Sequence, residues 1–203
     1  MKYSREPVPL LDPNKQLTEN GKPLGFSALD YWRFQFSNIW DAQEEVAEFI
    51  VAKALGLELP HNKNGWPAYD IKYKGKRVEI KSSSYFHSWR AKEEDDEGKG
   101  KDIESRRRDF GIAKTQGQHN EKLPEPERQN DVYVFCLNLG NTFEDSDPFE
   151  MSHWKFYVVP TARINTECGD ANKISLTHIE KLTNPIRYHE LRSAIDMVLD
   201  SLL

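Results

Sequence analysis

The chain has 203 residues, of which 37% are hydrophobic and 30% are charged, and its net charge at neutral pH is −5. This composition indicates a globular domain with one sizeable core and argues against disorder over most of the chain. No apolar run reaches the ~18 residues of a membrane-spanning helix, and the two cysteines and the lack of an apolar leader predict a reduced, cytoplasmic protein without membrane contact.

The first part of the chain predicts an arm followed by a folded domain. Residues 1–25 are polar and rich in proline, so we expect an amino-terminal arm there and a single domain over residues 26–203. The apolar spacing of residues 27–36 predicts a short amphipathic helix at the start of this domain.

A second helix is predicted at residues 41–55, where apolar residues recur at helical spacing. Asp41 is suited to cap the amino end of this helix, with Glu44 at the capping-box position. Gly56 provides the stop signal at its carboxyl end.

Two short runs with strand character follow, at residues 68–73 and 77–82. They are separated by Lys74, Gly75 and Lys76, which form a turn signal. The pair therefore predicts a β-hairpin.

The remaining elements are predicted from apolar runs and polar gaps: strands at 110–113, 132–139 and 154–159, loops at 91–105 and 116–130, and helices at 177–182 and 189–203. The run at 132–139 is continuously apolar, which indicates a strand that is buried on both faces. The order of elements favours an α/β (α+β) fold, in which helices flank a central mixed β-sheet. Loops longer than about 12 residues in so small a domain are typical of a binding surface.

The predicted hairpin brings chemically useful side chains together. If residues 74 and 75 form a two-residue turn, counting outward places Asp70 opposite Glu79, with Cβ atoms roughly 4.5–5.5 Å apart. Two like charges in direct opposition are unfavourable unless a cation lies between them. Lys81 follows Glu79 by two residues and therefore points to the same face of the strand.

This arrangement is suited to the hydrolysis of phosphodiester bonds. The carboxylates of Asp70 and Glu79 are the oxygen ligands that Mg²⁺ or Mn²⁺ prefers, commonly with waters and a substrate phosphate. Such a metal stabilises charge on the phosphate and lowers the pKa of a bound water. Lys81 is placed to position or deprotonate that water, or to hold the phosphate.

A fourth catalytic group is expected from the second helix. Glu48 is the one polar residue in the apolar segment 46–52, so we expect it to be half-buried. An unpaired buried carboxylate is costly, so Glu48 needs the metal or Lys81 as a partner. Glu45, close by on the same helix, is the alternative.

Nucleic-acid binding by an acidic protein needs locally concentrated positive charge or hydrogen-bond donors. The candidates for contacts to nucleic acid are Ser82, Ser83, Arg90, Arg106, Arg107, Arg108 and Gln129. For the serines and for Gln129, an ordinary solvated role at a strand end or in a loop is an equally good interpretation.

The acidic and basic residues resemble the pattern of the PD-(D/E)XK nuclease superfamily, whose members have a restriction-endonuclease-like fold. That pattern has an acid on one strand, here Asp70, then (D/E)-x-K on the next, here Glu79-Ile80-Lys81, after a helix that carries a glutamate, here Glu48. The proline that often precedes the first acid is absent. Residues 79–89 and 128–135 also resemble a bacterial branch of the superfamily, and the resemblance covers roughly residues 40–160.

The resemblance implies a metal-dependent nuclease that acts on DNA, with RNA not excluded as a substrate. An endonuclease in defence, repair or recombination is the first hypothesis, and a homodimer is one option because such enzymes cut both strands of a duplex. The alternative is a catalytically silent module of the same fold that binds nucleic acid or another protein. The retention of Asp70, Glu79 and Lys81 favours the enzyme.

Overall fold

The structure is a computed structural model that describes residues 11–57, 68–86, 108–116 and 123–202. Within these ranges no helix is both long enough and apolar enough to span a bilayer. The predicted loop at 91–105 lies outside them.

The amino-terminal residues form regular structure that the sequence interpretation as an arm did not include. Strands β1 (Gln16–Glu19) and β2 (Lys22–Ser27) make an antiparallel hairpin, and α1 (Ala28–Gln35) follows directly. Ser27 caps α1 in a capping box, which agrees with the predicted helix. The hairpin turns at Asn20-Gly21, with both residues at positive φ, a dipeptide that is itself a strong hairpin signal.

Helix α2 (Gln43–Ala54) is the predicted second helix, but its amino end differs from the prediction. Asp41 lies in a short 3₁₀ turn (Ile39–Asp41), and Ala42 occupies the N-cap position without a side-chain hydrogen bond. The capping role expected for Asp41 and Glu44 is therefore wrong. Gly56 ends the helix at φ +72, as expected from its freedom in the left-handed region.

The predicted hairpin is present as β3 (Ile71–Tyr73) and β4 (Lys76–Ser84). Its register confirms the two-residue turn, because Tyr73 pairs with Lys76 and Ile71 pairs with Val78. Both turn residues have positive φ, at +49 for Lys74 and +79 for Gly75, which is typical of a type I′ turn.

The central sheet has four strands in the order β3-β4-β6-β7, with β6 at Val132–Asn138 and β7 at Trp154–Pro160. Strand β6 runs parallel to β4 and antiparallel to β7, so the sheet is mixed as predicted. Every residue of β6 is buried, which confirms the inference from its continuous apolarity. The other described elements are β5 (Asp109–Gly111), α3 (Thr161–Cys168), β8 (Lys173–Ser175), α4 (Leu176–Leu182) and α5 (Leu191–Asp200).

Two apolar cores lie on opposite faces of this sheet. On one face, alternate residues of β4, β6 and β7 such as Ile80 and Val134 pack against α2 and α5. On the other face, Tyr133, Phe135 and Tyr157 pack with the side chains of β5, β8, α3 and α4. The molecule is thus a mixed α/β fold with helices on both sides, although α3 and β8 were not predicted.

The turn of the β3–β4 hairpin generates a prediction about stability. Gly75→Ala puts a Cβ into the left-handed region, so we expect a loss of about 1 kcal/mol or more in the free energy of unfolding. Urea denaturation followed by circular dichroism measures it. Gly111→Ala is the matched control, because Gly111 has ordinary φ and open space around its Cβ position. An equal loss in both variants would contradict the assignment of strain to the turn.

Candidate active site

The site lies where the pairing between β3 and β4 ends. Pairing between the two strands extends back to Ile71 and Val78, and the N–H of Asp70 still donates to the carbonyl of Val78 at 3.1 Å. Among the described residues no strand pairs with this side of β4 beyond Val78. The carboxylate of Asp70 takes the place of such a strand, because its Oδ2 accepts the backbone N–H of Ile80 at 2.7 Å. Asp70 is therefore not the direct strand partner of Glu79 that the turn arithmetic predicted, but it lies beside the same segment.

Glu79 and Lys81 share one face of β4, as predicted from strand alternation. Their charged atoms touch, with Lys81 Nζ 2.7 Å from Glu79 Oε1. Both side chains are largely withdrawn from solvent, with 18% of Glu79 and 25% of Lys81 exposed. In the parallel register Glu79 is level with Tyr133 of β6, whose pKa is raised to about 12 by burial and by the charge of Glu79.

Glu44, a helix carboxylate that was expected at a capping position, contacts the lysine. Glu44 Oε1 lies 3.7 Å from Lys81 Nζ and its side chain is 60% exposed. Glu48, the predicted residue, is half-buried as expected and follows Glu44 by four residues on the same helical face. Glu45 lines an apolar groove with Phe49 instead. The spacing of Glu44 and Glu48 is the signal that could have identified the pair.

The carboxylates and the lysine shift one another's protonation. Burial and the nearby charge of Asp70 raise the pKa of Glu79 to about 6, although Lys81 acts in the opposite direction. Burial disfavours the charged form of Lys81, but the contact with Glu79 and the charges of Asp70 and Glu44 together outweigh it and raise the pKa of the lysine above its ordinary value. Lys81 is therefore an ammonium at neutral pH in the metal-free site.

The donor set fits a hard divalent cation. Among the described residues no three His, Cys, Asp or Glu side chains form a metal-binding group. Mg²⁺ commonly takes only one or two protein carboxylates and completes its shell with water and phosphate oxygens. Asp70 and Glu79 are two such carboxylates, and the charge of Asp70 adds to burial in raising the pKa of Glu79. A cation between them would relieve the repulsion between their charges.

The predicted contacts to nucleic acid have different positions. Ser83 shares the face of Glu79 and Lys81, whereas Ser82 lies on the opposite face, and both are partly exposed. Arg108 is 8% exposed and its guanidinium lies 4.1 Å from the centre of the Tyr85 ring. The charge of Arg108 is thus stacked inside the fold, and its expected contact with phosphate stays a prediction. Arg90, Arg106 and Arg107 lie outside the described residues.

Residues 128–131 lie just before β6, within the segment 128–135 that resembles the nuclease superfamily. Their side chains link the start of β6 to neighbouring segments. Gln129 donates to Thr115 Oγ1 at 3.0 Å, and its described contacts do not include Lys81. Arg128 is buried and donates to the carbonyls of Ile112, Gly169 and Ala171 and to Asn165 Oδ1. Asp131 accepts the backbone N–H of Arg77 at 2.7 Å. These contacts support a structural role for residues 128–131, in which they hold β6 beside β4.

Comparison of the chain with protein-family models, with curated proteins and with solved structures found no match.

The raised pKa of Glu79 generates a prediction about stability and pH in the metal-free protein. The native state keeps the Glu79 proton up to about pH 6, whereas the unfolded chain releases it near 4.5. Glu79 therefore contributes stability that is fully present below pH 4.5 and is lost as the pH rises through about 6. Relative to Glu79→Gln, which mimics the protonated form, we expect the wild type to lose about 2 kcal/mol between these limits.

The measurement is the free energy of unfolding of both proteins across this pH range, with a chelator present to remove divalent cations. Only the difference between the two proteins is used, because groups that do not interact with Glu79 titrate equally in both. Parallel pH profiles would contradict the raised pKa of Glu79.

Proposed function

We propose that the chain is a metal-dependent nuclease that hydrolyses phosphodiester bonds in DNA, with its reaction centre at the edge of β4. The observation that carries the proposal is the contact of the Lys81 ammonium with Glu79. The pKa of this carboxylate is also raised by the charge of Asp70. A partly buried ion pair with an excess of carboxylates is a costly arrangement for a structural role alone. The same excess is useful where a cation and a phosphate must bind together.

Each residue has a distinct role in the proposed chemistry. Asp70 and Glu79 hold the cation, and the bond from Ile80 N–H fixes the orientation of the Asp70 carboxylate. The bound metal supplies charge neutralisation at the phosphate and lowers the pKa of a coordinated water. Lys81 would contact the phosphate or position the attacking water. Glu44 positions the Lys81 ammonium from helix α2.

The restriction-endonuclease-like core is part of the same proposal. The elements α2, β3 and β4 follow one another along the chain. The helix glutamate, Asp70 and the Glu79-Ile80-Lys81 segment therefore occur in the order that the resemblance implies. The parallel neighbour β6 and the following antiparallel β7 complete a mixed sheet around this edge. These features support membership of that fold, and endonucleolytic action in defence, repair or recombination follows from the resemblance.

The proposal predicts that cleavage depends on a divalent cation and on Lys81. Purified protein is incubated with supercoiled plasmid, linear duplex, single-stranded DNA and RNA, with Mg²⁺, Mn²⁺ or chelator. We expect metal-dependent cleavage of DNA and a loss of about 10²-fold or more in Lys81→Met and Glu79→Gln. Lys72→Met is the matched control, because Lys72 is an exposed lysine on the neighbouring strand β3. Its rate should equal that of the wild type.

Two results would contradict the proposal in different ways. Binding of DNA without cleavage under all metal conditions would favour the silent nucleic-acid-binding module. Cleavage that persists in both Lys81→Met and Glu79→Gln would indicate that a contaminant or another site is responsible.

The helix glutamates provide a test of the site's geometry. Glu44→Gln removes the second carboxylate from Lys81, so we expect a several-fold lower cleavage rate and a displaced pH optimum, because the lysine loses one of the charges that keep it protonated. Glu45→Gln changes the adjacent residue, which lines the apolar groove, and should leave both unchanged. The measurement is the pH profile of plasmid cleavage for the two variants. Equal effects would show that the helix acts only through its net charge.

A further inference from the structure

The amino-terminal unit, residues 11–36, has almost no core of its own. It consists of the β1–β2 hairpin and α1, and within these elements only Ala28 is buried. Its large apolar side chains face outward, and Phe34 is 78% exposed. The most prominent of them are Leu17, Leu24, Phe26, Tyr31, Phe34 and Phe36.

Such a unit is not expected to be stable in water by itself. A two-stranded hairpin is marginal without a third strand or a packed helix, and a helix of eight residues relies on tertiary packing. The two parts are joined by backbone bonds, with the N–H groups of Ala28 and Leu29 donating to the carbonyls of Lys15 and Pro13. These bonds set the shape of the unit but leave its apolar side chains uncovered. A further surface is therefore needed to bury them.

The apolar surface of the unit continues onto the body of the molecule. Phe36, just after α1, lines one side of an open groove of about 190 Å³. The groove continues over Ile39 and Val46 to Phe49 and Phe149, the last two being exposed. A protruding apolar helix and an apolar groove thus lie side by side.

The occupant that fits this surface best is a second copy of the chain. The unit carries three acidic and three basic residues, so it has no net charge with which to attract nucleic acid. About half of each of the six prominent side chains of the unit, and of Phe49 and Phe149 in the groove, is exposed. The combined surface is therefore on the order of 800 Å² per copy, close to one partner's share of a standard interface. In a two-fold interface both subunits contribute the same patch. A patch that contains both the helix α1 and the adjacent groove meets this requirement, because each helix can pack into the groove of the other copy.

We propose that two copies of the chain associate through the amino-terminal unit, with α1 of each copy packed against the Phe36–Phe49–Phe149 groove of the other. The interface involves none of Asp70, Glu79, Lys81 or Glu44, so its existence does not depend on the proposed nuclease chemistry.

The test is the mass of the full chain in solution without metal or nucleic acid, measured by sedimentation velocity from ~1 to ~100 µM. We expect a concentration-dependent dimer. The double variant Phe26→Asp, Phe34→Asp should remain monomeric over this range, with association weakened at least ~10-fold. Met197→Asp is the matched control, because Met197 is 69% exposed on α5, outside the proposed surface, and this variant should dimerise like the wild type. Circular dichroism verifies that both variants fold.

A second measurement locates the contact. Phe34→Cys and Phe49→Cys proteins are mixed and treated with a short bifunctional thiol reagent, and we expect heterodimers joined between the two introduced cysteines. A wild type that stays monomeric throughout would overturn the proposal. So would a dimer that survives the double variant, or one in which the two cysteines do not cross-link. Loss of DNA binding in the double variant without any change in mass would assign the surface to nucleic acid instead.

Discussion

The bond from the Ile80 N–H to the Asp70 carboxylate is the interaction on which the arrangement of the site depends. Strand β3 is only three residues long, and in the described part of the chain no strand pairs with that side of β4 after Val78. An unpaired N–H at this depth would be costly, and the side chain of Asp70 satisfies it. The same bond anchors one acid of the site to the strand that bears the other acid and the lysine.

Burial of the central strand supports the site from behind β4. Strand β6 is covered on both faces, and it holds β4 in parallel register from Val78 to Ser84. Glu79 and Lys81 therefore project from a segment whose position is set by two cores. The network of Arg128 and Asp131 at the start of β6 ties this framework to β4 and to the loops beyond it. A site that must hold charges within a few ångströms benefits from such support.

The features that could be predicted from the sequence are those set by short-range rules. The two-residue turn at Lys74-Gly75 determined the hairpin register, and strand alternation placed Glu79 with Lys81. The contact of Glu44 with Lys81 was missed because it depends on the position of the first turn of α2 relative to β4. That position is determined by tertiary packing. Burial of Arg108 was missed for a related reason, since its partner Tyr85 is distant in sequence.

The ion pair at the centre of the site has a thermodynamic consequence. With every group ionised, Asp70, Glu79, Glu44 and Lys81 together carry three negative charges and one positive charge. An approaching phosphate therefore meets net repulsion at this edge of β4, which adds to the acidic charge of the whole chain. A divalent cation cancels that excess, so each of the two ligands should bind more tightly when the other is present. The proposed enzyme would then bind the cation before the nucleic acid. Without the cation, its affinity for the phosphate backbone that it cleaves would be low.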